Sequence, residues 1–254
     1  MLKLFVKKVG IVSFLFIFIV FNFAFANDLE SELKDVKVVT LYGRKTTVDE
    51  MDSIKFGNYK KDSDETMGAI EWLVLENDEE NHKALLLSKY IIDCKCFNDE
   101  YDEVLWDSCS LREWLNKTFY NEAFSDEEKK HIILSEVPVG NNITKDYIYL
   151  LDTDDIKKYF NQFSISTDNP KLATYATEYA KSVDNMGTKL WVRDNEKWSK
   201  GNSYFFLRER GVDVTNVSAV GSGGNVYGGL YDPSRIVNVN EKDGGVRPLM
   251  WVIY

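Results

Sequence analysis

Apolar residues are spread very unevenly along this chain, and that distribution limits its fold more than any other feature. Lys3, Lys7 and Lys8 precede an almost unbroken apolar run from Val9 to Phe21, followed by Ala24-Phe25-Ala26. No later run is as long. A positive segment, an apolar stretch and small residues in an A-x-A arrangement form the pattern of a secretory signal peptide. The expected cleavage lies after Ala26; the rival reading is an uncleaved anchor, since the stretch approaches the roughly 20 residues that span a bilayer. No Cys follows the run, so a lipid anchor is not indicated. Removing 1–26 deletes three lysines and no acids, which takes the formal charge from -10 to -13. The expectation is a secreted, extracytoplasmic protein with no membrane contact once processed.

Everything after the run must fold from short apolar segments bounded by charge. With 41 Asp and Glu against 31 Lys and Arg, 44% hydrophobic and 14% aromatic residues, disorder, collagen and a basic nucleic-acid binder are excluded. The acidity favours cationic or neutral partners. Residues 27–37 are polar and read as a flexible leader. No repeat or low-complexity linker divides the remainder, so 38–254 is expected to be a single α+β domain.

Ile54 to Tyr59 alternates at period two, and Ile70–Leu75 and Ala84–Leu87 flank the charged turn Glu76–His82 as a hairpin would. Ser110-Leu111-Arg112-Glu113 has the form of a capping box and predicts a helix start at Ser110. Leu111, Trp114, Leu115 and Phe119 then fall on one face. Burial of Trp114 would remove ~200 Å² from water, worth at most roughly 5 kcal/mol. Ser125-Asp126-Glu127-Glu128 predicts a second box, with a helix to Ile133. Tyr147–Leu151 is a strand candidate, and Asp152 or Thr153 caps a helix to Phe160. Pro170 opens a helix reaching Ser182. Tyr204–Leu207 reads as a strand, Gly221–Asn225 as a tight turn, and Val246–Tyr254 as a terminal strand with Pro248 near its start.

Chemistry is sparse. Two histidines and three cysteines assemble no recognised catalytic triad, and no catalytic, cofactor-binding or metal-binding residues are assigned. Gly221–Gly224 lacks the Lys and Ser/Thr of a phosphate loop. His131, one turn after Glu127 and Glu128, could serve acid-base work, but a half-exposed helix residue is the simpler reading. Cys94, Cys96 and Cys109 fit either three reduced buried thiols or a disulfide of Cys109 with Cys94 or Cys96, which would close a loop of about fifteen residues. The acids Asp99, Glu100, Asp102 and Glu103, and Asp152, Asp154 and Asp155, serve as solvated charge and caps; calcium is the lesser alternative, since D-x-D-x-D-G is absent. Arg112, Arg208 and Arg247 sit beside apolar residues, where a guanidinium ties carbonyls or a carboxylate, anion binding being the minority reading.

Several motifs together carry a family likeness: I-x-F-G-x-Y at Ile54–Tyr59, Trp72–Leu75, the run Trp106 to Asn116 containing Ser110, Leu111, Arg112 and Trp114, then Phe119, Ala123-Phe124-Ser125 and Glu128. Tyr149-Leu150-Leu151, Phe206-Leu207-Arg208 and Gly245-Val246-Arg247-Pro248 extend it downstream. Over about residues 50–253 the chain resembles an exported bacterial domain of unknown function, numbered 6273. That family is similar at a distance to C-type-lectin-like domains and to the formylglycine-generating sulfatase-modifying fold. The resemblance implies a C-type-lectin-like domain with an irregular loop region. Pro248 stands where the sulfatase-modifying enzymes carry a Cys, so copper-thiolate chemistry is not implied. Trp191–Asp194 and Asp168-Asn169-Pro170 do not reproduce the lectin sugar motifs.

The functional expectation is a secreted, non-catalytic binding module that presents Asn161–Pro170 and Gly211–Asp232 to an extracellular glycan or protein. The alternative is an exported hydrolase acting on cell-envelope material through an acid pair. A structural surface protein without a ligand is the third reading.

Overall fold

The computed structural model describes residues 53–161, 167–194, 200–228 and 235–254; the apolar run and the leader lie outside the described residues. β1 (Ser53–Lys60), β2 (Met67–Asp78), β3 (Lys83–Ser88) and β13 (Leu249–Ile253) form an antiparallel sheet in that order. β4 (Asp93–Lys95), β9 (Phe205–Arg210), β10 (Val217–Val220), β11 (Val226–Tyr227) and β12 (Gly244–Val246) form a second sheet, ordered β11-β10-β9-β12-β4. Two small hairpins complete the strands: β5 (Ser135–Val139) with β6 (Asn142–Asp146), and β7 (Thr174–Tyr175) with β8 (Asn202–Ser203). One continuous core joins them, so the described residues make a single mixed α+β domain in which strands dominate.

Alternation in β1 places Ile54 and Phe56 inward, and the hairpin of β2 and β3 forms with Leu73 opposite Leu87. β1 bulges between Lys55 and Asn58. Gly57 sits there at φ +70°, and a Cβ would stand 2.5 Å from the Phe124 ring, so only glycine fits the motif position. The chain passes twice between the two sheets, from β3 to β4 and from β12 to β13. The passages run side by side, with the Ser88 amide donating to the Pro248 carbonyl at 2.8 Å. The terminal strand therefore divides at Arg247-Pro248, where proline's missing N–H suits a break.

Helices are short. α1 (Ser110–Trp114) continues through a π-helical turn, Leu115–Phe119, into α2 (Tyr120–Ala123). The N-cap is Cys109, one residue earlier than the sequence predicts: its Sγ accepts from the Arg112 amide at 3.4 Å. The Ser110 hydroxyl instead accepts from the Asp99 amide at 3.0 Å, and Glu113 pairs with Lys117 at 2.6 Å. Leu111, Leu115 and Phe119 are fully buried, whereas Trp114 is half-buried, stacked on Phe119 at 5.5 Å beneath Lys95. α3 (Asp126–Lys129) carries the expected Ser125–Glu128 capping box but ends before His131. α4 (Thr153–Phe160) begins from Asp152 with a box closed by Asp155.

Three expectations are corrected. Tyr147–Leu151 is not a strand: its first amides are taken by the Asn116 side chain, and Tyr149 makes only a single bridge to Leu249. The helix expected from Pro170 is reduced to α5 (Glu178–Ser182), capped by Thr177, because Leu172 and Ala173 are drawn into a turn on Asn169 and Thr174–Tyr175 pairs with β8. Over its described residues, 211–228, the segment Gly211–Asp232 is no open loop, since its apolar V-S-A-V and V-Y segments are the buried strands β10 and β11, while 229–232 lie outside the described residues. Within Asn161–Pro170, residues 162–166 lie outside the described residues.

Candidate functional site

The Trp106-to-Asn116 motif is built around a carboxylate that is not among the residues singled out from sequence. Asp146, at the end of β6, is fully buried. Trp106 Nε1 donates to its Oδ2 at 2.9 Å, the Thr144 hydroxyl donates to the same oxygen at 2.6 Å, and Arg112 Nε donates to Oδ1 at 2.7 Å. Arg112 Nη1 also reaches the Asp107 carbonyl at 2.9 Å. One turn on, Asn116 uses both ends of its amide. Its oxygen accepts from the amides of Tyr147 and Ile148 at 2.8 and 3.1 Å, and its nitrogen donates to the carbonyls of Arg112 and Ile148 at 3.1 and 2.8 Å. These bonds fasten 144–148 to the helix.

Arg247 fastens the two passages between the sheets. It is buried among three carbonyls: Nε donates to Ser88 at 2.9 Å, Nη1 to Leu172 at 2.7 Å and Nη2 to Lys89 at 3.5 Å. No carboxylate pairs with it among the described residues, and Phe205 lies 5.1 Å beneath the guanidinium. Burial alone lowers its pKa to about 9, which leaves it charged at neutral pH.

Arg208 lies where chemistry is most concentrated. Its Nη1 donates to the Leu150 carbonyl at 2.6 Å and to Asp155 Oδ2 at 2.7 Å, and its Nη2 donates to Asp152 Oδ2. Its Nε is buried and unpaired. Asp152 also accepts the Asp155 amide at 2.8 Å as the cap of α4. Beside it, both oxygens of Glu209 lie 2.8 Å from the Thr153 hydroxyl. Burial, reinforced by the charge of Asp155, pushes Asp152 up to about 6 against the opposing pull of Arg208. Burial likewise raises Glu209 above the ordinary carboxylate range.

These residues form one wall of a cleft of about 390 Å³, within the size range of small-ligand sites. Asp152, Asp154, Arg208, Glu209 and Arg210 supply its polar lining; Leu105, Pro138 and Val139 add apolar surface from the turn before α1 and the tip of the β5–β6 hairpin. Of the residues singled out from sequence, Asp152, Asp154, Arg208 and Trp106 meet here, while Arg247 does not. Glu209 escaped notice because one acid in the strand F-F-L-R-E-R looks like any solvent-facing charge.

Of the two alternatives left open for the cysteines, a bridge from Cys109 to Cys94 or Cys96 and three reduced thiols, the structure has the second: all three are free and buried. Cys109 Sγ is engaged as the cap, Cys94 Sγ donates to the Lys242 carbonyl at 3.4 Å, and Cys96 receives Asn185 Nδ2 at 3.6 Å. His131 Nδ1 lies 3.0 Å from the Ile253 carbonyl, a link between α3's end and β13. Among the described residues no group of three or more His, Cys, Asp or Glu side chains could hold a metal, and no helix is long and apolar enough to cross a membrane.

The family model of DUF6273, a domain of unknown function, matches residues 81–253, which takes in every group just described. No curated protein and no solved structure matches the chain.

Proposed function

We propose, for a chain that belongs to the DUF6273 family, a secreted, non-catalytic binding module that holds an extracellular glycan or protein group in the Arg208 cleft. The N-terminal run supports export, as a bacterial signal peptide would direct it. The C-type-lectin-like likeness, with irregular connections around short strands, fits a recognition role. One observation carries the reading: Asp152, the most strongly perturbed acid of the cleft, is committed to the fold. It caps α4 and pairs with Arg208. A cleft lined by apolar side chains as well as carboxylates suits retention of a ligand better than proton shuttling.

The hydrolase reading has one specific support, Asp152 held near about 6 beside a second desolvated acid, Glu209, a value suited to a general acid. An array of glycans and extracellular proteins probed with the secreted domain, run beside a reducing-end assay on envelope polysaccharide, separates the two. Saturable binding without new reducing ends supports the module. Turnover that disappears in Glu209→Gln assigns an enzyme, and neither binding nor turnover leaves a structural surface protein.

A further inference from the structure

The cleft holds more specific information than its shape. Around it four carboxylates, Asp152, Asp154, Asp155 and Glu209, meet three cations, Arg208, Arg210 and Lys157, the last 2.9 Å from Asp154. One negative charge is therefore uncompensated, in a chain whose formal charge is already -10. Glu209 is the carboxylate with spare capacity: the hydroxyl and the backbone amide of Thr153 serve it, whereas an ionised carboxylate has about four acceptor positions.

One donor lining the cleft is open to a ligand. Arg208 leaves Nε without an acceptor, but that atom is buried, and its Nη groups are held by Leu150, Asp152 and Asp155. Arg210 lines the cleft from an exposed position, with no ion pair among the described residues. Acceptor and donor thus share one cleft with the apolar side chains of Leu105, Pro138 and Val139.

Resting on the binding-module reading, we propose that this cleft takes a 2-amino-2-deoxyhexose unit of an extracellular glycan, with the ammonium received by Glu209 and a flanking sugar oxygen by Arg210. An amino sugar presents a cation, neighbouring oxygen acceptors and an apolar ring face within one small rigid unit. A lysine side chain offers the cation on a bare hydrocarbon stem and would leave Arg210 unanswered. An N-acetylated sugar offers the oxygens without the charge.

Isothermal titration of the secreted chain at low salt and pH 7 tests this with three probes: a β-1,4-linked glucosamine tetramer, its fully N-acetylated counterpart, and glycyl-lysinamide. The expected result is at least tenfold tighter binding of the glucosamine tetramer than of the acetylated one. Glu209→Gln should lose at least tenfold while keeping its unfolding midpoint; Arg210→Gln, at an exposed position, provides the test if that midpoint shifts. Equal affinity for the two tetramers overturns the ammonium assignment but leaves a glycan-binding module standing. Binding of the dipeptide alone overturns the glycan and points to a protein partner. No heat with any probe overturns the proposal, while the array above still decides the module. Cleavage of the tetramer during titration overturns the binding reading itself.

Discussion

Trp106 and Asp146, forty residues apart, meet through a 2.9 Å hydrogen bond from the indole nitrogen to a carboxylate with no solvent exposure. With Arg112 on the other oxygen, this contact decides how the β5–β6 hairpin docks on α1, and hence where Pro138 and Val139 stand in the cleft. Asp146→Ala should destabilise the domain by about 3–5 kcal/mol, because Arg112 and the indole both lose a buried acceptor. Trp106→Phe removes one bond and should cost about 1–3 kcal/mol. Urea titrations of both variants check the order; an Asp146→Ala loss below that of Trp106→Phe would contradict it.

Arg247 makes a different demand. Its partners are carbonyls, so a charge-preserving Arg247→Lys should still destabilise, by about 2 kcal/mol or more, since one ammonium cannot span the Ser88, Leu172 and Lys89 carbonyls as a planar fork does. Denaturant unfolding with an unchanged slope is the expected signature.

Acidity should stabilise this domain over a defined window. Asp152 is raised from 3.8 to about 6 by burial, with Asp155 adding to it. Burial also raises Asp93, although Tyr59 donates to it at 2.7 Å. A carboxyl that binds its proton more tightly when folded contributes stability that is complete below its unfolded pKa. That contribution is lost as pH rises through the folded value. The unfolding midpoint should therefore rise by a few degrees between pH 7 and pH 5, and Asp152→Asn should flatten that rise. A midpoint falling steadily over the same range would show that paired surface acids dominate instead.

Thiol chemistry gives a fourth check. Burial pushes Cys94 and Cys109 up to about 12 and raises Cys96 as well, so all three should resist a thiol-specific disulfide reagent in the folded protein. All three should react in urea without reductant. A single reactive thiol in urea would establish a disulfide among the three, contradicting the free thiols of the structure.

Legibility from sequence followed the range of the forces involved. The hairpin of β2 and β3, the Ser125 box and the Asp152 cap were readable because their signals lie within a few residues. The Ser110 box failed for a tertiary reason: Asn98 and Asp99 take the Ser110 amide and hydroxyl, which moves the cap to Cys109. Tyr147–Leu151 failed because Asn116, far away in sequence, supplies bonds that a neighbouring strand would otherwise provide. The cleft combines Leu105, Pro138, Asp154 and Glu209 from four separate segments, and only the fold brings them together. Period two along β6 does turn Thr144 and Asp146 inward together, which is the one local signal that could have marked Asp146.

The most direct test is a backbone NMR titration of the domain with the glucosamine tetramer. The account predicts shifts concentrated at Gly140, Asp154, Glu209 and Arg210, saturating without any change in the sugar's own spectrum. Shifts confined to the far end of the domain, around Tyr175 and Trp191, or the appearance of cleaved sugar, would contradict it.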